Sequence, residues 1–235
     1  MPESGKTSSG VFLCKLIPCL LDELLQGFVM TNQSYRKVMR LEPGDERRYD
    51  LADKGVLILA DEIDGSASYA LTLDFIHRHL MKVDMPVLIV LNSPGGDVAH
   101  GFAIFDFITA FATAGREVNI LGLGDVASMA TAIMQAGTRR YSFPNTQFLV
   151  HQIRQTLPFF KQEEVNEGRE RQQEMDRIND IVMKMIADRV GIGLNEIKKL
   201  SEKKDFWLDA QSAKKFGPNG LIDEVVTTFP FQING

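Results

Sequence analysis

The chain has 235 residues, 44% hydrophobic and 24% charged, with a formal net charge of −5. That composition suits a globular protein with a sizeable core, and its slight acidity gives no general electrostatic reason to bind nucleic acid. The two cysteines, Cys14 and Cys19, both lie in the N-terminal segment, so no disulfide framework is expected and a reducing, cytoplasmic setting fits best.

From the N-terminus, residues 11–29 are rich in apolar side chains, but Lys15, Asp22 and Glu23 interrupt them and Pro18 breaks them. Neither a signal peptide nor a membrane span is expected from such a segment; a leader, a propeptide and an extension upstream of Met30 all fit it. The charged, turn-prone stretch from Glu42 to Arg48 suits a mobile arm. The reading is therefore an arm or leader over 1–48, a folded domain over 49–228 and a tail over 229–235.

Within that domain short apolar runs suit buried strands: VLILA at 56–60, VLIVL at 87–91, VNILGL at 118–123 and FLVH at 148–151. Helical periodicity occupies 66–82, 97–114, 128–137 and 162–190, and the alternation is that of an α/β fold. In the second helix Val98, Phe102, Phe105, Ile108 and Phe111 form an apolar stripe. In the longest, Met175, Ile178, Val182, Met185 and Ile186 form a seam, while charged residues crowd its N-terminal half. A helix so divided either projects from its domain, often against another subunit, or is a solvated surface helix.

Four stretches carry chemistry. Asn92-Ser93-Pro94-Gly95-Gly96-Asp97 joins a strand to a helix, and its paired glycines allow main-chain N–H groups to face a cleft, although a tight turn would need them too. Ser128 falls where another strand runs through small residues into a helix; such a turn lifts a hydroxyl out of the backbone, but serine is also a common helix N-cap. His151 ends an apolar strand, where a general base could sit, or a histidine bonded to backbone. Asp205 precedes Trp207 and a short helix at 210–216; it could orient an imidazole, and equally Asp205 or Asp209 could cap that helix.

In order and context these stretches resemble the Clp protease proteolytic subunit family, over about Tyr49 to Val226. The resemblance implies an α/β, ClpP/crotonase-like spiral of repeated β-β-α units with a projecting handle helix. It implies a serine endopeptidase with Ser128 as nucleophile, His151 as base, Asp205 as acid, and the amides of Gly96 and Met129 as oxyanion hole. No cofactor or metal is required by such chemistry, and His77-x-His79 does not have helical metal-ligand spacing. The implied partners are unfolded polypeptides, copies of the chain in a heptameric or double-heptameric ring, and an AAA+ unfoldase that supplies ATP hydrolysis.

The chain departs from the family pattern after the base, where Ile153-Arg154-Gln155 replaces the usual proline and glycine-rich run, and before the nucleophile, where Asp125 replaces a glutamine. Two other functions compete: a catalytically silent scaffold subunit of such a ring, and a crotonase-type acyl-CoA hydratase or isomerase, for which Asp125 would supply the acidic group.

Overall fold

The computed structural model describes residues 45–154, 164–202 and 204–230; the readings made for residues 11–29 and for the end of the tail lie outside these. The chain divides into two compact units, Met1–Arg47 and Arg48–Gly235. Helix α1 is Asp45–Asp53, so the charged stretch expected as an arm is helical from Asp45 onward. Its sequence opens with two acidic residues, the order favoured by the helix dipole.

In the second unit the elements are β1 (Val56–Ala60), α2 (Gly65–Leu80), β2 (Val87–Ser93), α3 (Val98–Thr113), β3 (Val118–Ala127), α4 (Met129–Met134), β4 (Arg140–Ser142) and β5 (Gln147–Val150). After these come α5 (Val165–Val190), α6 (Leu194–Ser201), β6 (Phe206–Asp209), α7 (Ala210–Lys214) and β7 (Glu224–Val225). One sheet runs in the order β1-β2-β3-β4-β7, with all pairs parallel. β5 leaves that path to pair parallel with the far end of β3 and antiparallel with β6.

Burial follows sheet position. On edge strand β1, Leu57 and Leu59 are buried while Ile58 is exposed, the alternation of a strand with one covered face. The run from Val87 to Ile89 on β2 is buried throughout, as a strand covered on both faces must be. α2 and α3 start at side-chain caps: Asp64 accepts from the Ala67 amide at 2.8 Å and Asp97 from the His100 amide at 3.0 Å.

The buried face of α3 is Gly101, Ile104, Ile108 and Phe111; Val98 and Phe102 of the expected stripe pack against the core beside it. A Cβ on Gly101 would lie 2.3 Å from Met129 Cγ, so the glycine lets the helix close onto α4. α5 is divided as expected: its C-terminal half buries Val182, Met183, Ile186, Ala187 and Val190. Its N-terminal turns are largely exposed.

β3 is the longest strand, and it changes partners along its length. Val118–Leu121 pair with β2 in one register and Val126 pairs with Ser93 in another, an irregularity that begins after Gly122. Gly124 takes φ +61 at this point, where a Cβ would be 2.7 Å from Asn92 Oδ1. That same oxygen accepts from the Asp125 amide at 3.1 Å. The kink delivers Val126 and Ala127 to β5 and aims the end of the strand at Ser128.

Candidate active site

Ser128 links β3 to α4 with φ 57 and ψ −122. A non-glycine residue in that conformation is strained and persists only where its surroundings hold it. Its own amide donates to Leu149 O at 2.9 Å. The buried hydroxyl of Thr131, one turn into α4, lies 2.7 Å from Val126 O and 2.9 Å from Leu149 O, pinning both strands that flank the turn. Nothing in the local pattern signals that role beyond a threonine in the first turn of a helix. Although Ser128 occupies the N-cap position, its side chain makes no capping bond.

The Pro94-Gly95-Gly96 turn lies directly over this serine. A Cβ on Gly95, where φ is +96, would be 2.6 Å from Ser128 Cβ, 2.8 Å from Ala127 O and 3.0 Å from the Met129 nitrogen. Gly96 forms a parallel bridge with Ile63, whose amide donates to Gly95 O and whose carbonyl accepts from the Asp97 amide, each at 2.8 Å. In that pattern the N–H of Gly96 itself points away from Ile63, toward the β3 side where Ser128 sits. The Met129 amide opens α4, where helical N–H groups have no intrahelical acceptor. Two main-chain donors beside a lifted hydroxyl suit the negative oxygen formed during attack on a carbonyl.

Gly95→Ala should therefore lower kcat/KM for a short peptide by on the order of 10² to 10³, the usual cost of losing one such donor. The methyl group cannot fit without shifting the backbone at 127–129. Steady-state assays alongside a thermal melt check this, and turnover equal to that of the unchanged protein would contradict it.

His151 follows β5 and Asp205 precedes β6. Their antiparallel register pairs Leu149 with Trp207 and Val150 with Phe206, so one further step places residues 151 and 205 opposite each other, on the same face. Ser128 and His151 line a common cavity whose remaining walls are Val98, Met129, Val150, Ile153, Val182 and Ile186. Apart from Ser128 and His151 its lining side chains are apolar.

The hydrogen bonds of these side chains run elsewhere. His151 Nδ1 is 2.6 Å from Gln152 O, and the Asp205 carboxylate is held by the Arg154 guanidinium. Among the described residues no hydrogen bond joins Ser128 to His151 or His151 to Asp205. The short helix beyond is capped by Asp209, which accepts from the Ser212 amide at 2.7 Å; this backbone bond draws the Asp209 carboxyl below the usual range. Asp205 is free of any capping duty. Asp125 does not line the cavity.

Known proteins resemble this chain in sequence and fold. A family model described as Clp protease matches residues 44–229. The chain belongs to the Clp protease family. ATP-dependent Clp protease proteolytic subunit 2 of Prochlorococcus marinus is 29% identical over 174 residues, covering 73% of this chain and 81% of its own. The protein of the same name in Treponema denticola is 31% identical over 163 residues, covering 68% and 78%. A solved structure of a mutant ClpP1 from Listeria monocytogenes matches with a TM-score of 0.65 at 25% identity, over 78% of this chain and 97% of its own.

The fold is accordingly the ClpP/crotonase-like one expected from the resemblance, with α5 as its long handle helix. Clp family membership makes the chain a peptidase subunit of a generally serine-type group. Among the described residues no helix is long and apolar enough to cross a membrane.

Proposed function

We propose that the chain is a serine endopeptidase in which Ser128 is the nucleophile, His151 the general base and Asp205 the orienting acid. Ser128 Oγ attacks the scissile carbonyl while His151 accepts its proton, and the oxyanion takes hydrogen bonds from the amides of Gly96 and Met129. His151 then passes the proton to the leaving amine, and water hydrolyses the acyl-enzyme. Asp205 stabilises the imidazolium formed on the way. The apolar walls from Val98, Val150, Ile153, Val182 and Ile186 favour an apolar side chain at the residue preceding the cut.

The observation that carries this reading is the uncapped, positive-φ serine beneath a Gly-Gly turn, sharing a cavity with His151. The peptidase domain spans residues 49–228, between an arm at 1–48 and a tail at 229–235. It acts on unfolded polypeptide in the cytoplasm as a heptameric or double-heptameric ring, fed by an AAA+ unfoldase. The names of the curated relatives, which are ATP-dependent Clp subunits, support that assembly.

A silent scaffold subunit is the second reading, favoured by the engagement of Asp205 with Arg154 in place of His151. Labelling with a fluorophosphonate separates the two. Stoichiometric modification at Ser128 is the expected result; a folded oligomer that never labels would make the chain a scaffold.

A further inference from the structure

His151 follows and Asp205 precedes the last β5–β6 pair, Val150 with Phe206, yet each is bonded to another group. Arg154 follows His151 by three residues, beyond the last strand pair, and its guanidinium holds the Asp205 carboxylate. The ring nitrogen of His151 suited to that carboxylate lies against the carbonyl of Gln152 instead. A guanidinium is charged at every working pH and prefers a carboxylate, so it competes directly with the imidazolium that develops during catalysis. We propose that Arg154 is a positioning residue that holds Asp205 away from His151, so that hydrolysis requires the Arg154–Asp205 ion pair to open. This rests on the Ser128–His151–Asp205 assignment and adds to it a control on the acid.

The burial of the pair sets the size of the effect. The Arg154 side chain is 69% exposed and that of Asp205 37%, and solvent-accessible pairs of this kind hold weakly. Opening it therefore slows the reaction by a modest factor, up to about five-fold. The same exposure means that removing the arginine leaves no buried group without a partner. It also makes the pair sensitive to screening, which shortens the reach of a charge from about 30 Å at 0.01 M salt to about 3 Å at 1 M.

The test uses the full chain in its assembled form and an uncharged fluorogenic peptide, so that Arg154 has no charge on the substrate to bind. Arg154→Gln should raise kcat by up to about five-fold with KM unchanged, and label with fluorophosphonate faster by the same factor. Arg154→Lys, which keeps the charge, should restore the slower rate. Raising the salt should speed the wild type and leave Arg154→Gln unchanged. If Ser128 labels in the wild type and Arg154→Gln is no faster, or if Arg154→Lys matches Arg154→Gln, the positioning role is overturned while the Ser128 assignment stands. If Ser128 labels in neither protein, the nucleophile assignment falls and the role of Arg154 with it.

Discussion

Ser128→Ala should reduce turnover of a short fluorogenic peptide by on the order of 10⁴- to 10⁶-fold, leaving only the rate that binding and the oxyanion donors sustain by themselves. The loss falls on kcat, because the hydroxyl takes part in forming the acyl bond and contributes little to holding the peptide. The protein should fold as before. Ser128 makes no capping bond, and alanine meets the same strain as serine at a φ of 57, so the melting temperature should hardly move. The bonds that fix the turn come from the residue 128 backbone and from Thr131, which the substitution leaves in place. Wild-type turnover in the variant would remove Ser128 from the reaction altogether.

Arg140→Leu should have the largest effect on stability, about 3–5 kcal/mol measured by denaturant unfolding of the assembled protein. The Arg140 side chain is 2% exposed. Its Nη1 donates to Gln135 Oε1 at 2.7 Å and to the carbonyls of Gly220 and Leu221 at 2.9 and 3.2 Å. Nη2 donates to Asn219 O at 3.0 Å and Asp223 Oδ1 at 2.6 Å, while the Arg140 amide donates to Asp223 Oδ2 at 2.7 Å. Leucine would fill some of the volume and leave these acceptors facing an apolar group. The cost is therefore that of stranded polar atoms, larger than the net worth of the ion pair.

The same cluster makes a prediction about acid. Burial pushes the Asp223 carboxyl up, but its hydrogen bonds to Arg140 and the charge beside it prevail and hold it below the usual carboxylate range. A folded value below the unfolded one means that the stabilisation is complete above the unfolded value and is lost as pH falls through the folded one. Arg140→Leu should consequently show a shallower loss of stability on acidification than the wild type, although it starts from a lower level.

Much of the fold was legible because the strands are short apolar runs and the helices carry clear periodicity. VLILA, VLIVL and the run beginning at Val118 became β1, β2 and β3, and Val182 and Ile186 of the seam on the long helix are buried. The part that Gly101 plays in the α3 face was not legible, because a glycine carries no hydrophobic signal; what it contributes is the room it leaves for Met129. β4 and β7 have three and two residues, too few for any pattern of their own, and they exist through their pairing partners.

The site was legible as types of residue in order, and less so as bonds. Ser128 and His151 line one cavity, and the Gly-Gly turn lies against Ser128. Arg154 was visible as a departure from the family pattern, but its hold on Asp205 depends on a pairing across 51 residues of chain. Thr131 escaped notice for a similar reason, since its two acceptors are 5 and 18 residues away.

The antiparallel β5–β6 ribbon also determines what evolution or engineering can do to the segment ahead of Phe206. Successive side chains of an extended strand turn to opposite faces, so one inserted residue next to Phe206 would point the carboxylate out of the site, whereas two would return it to the correct face one repeat farther along. Length changes next to Phe206 therefore carry the carboxylate along the ribbon by about 3.3 Å for each residue added, whichever face it ends on.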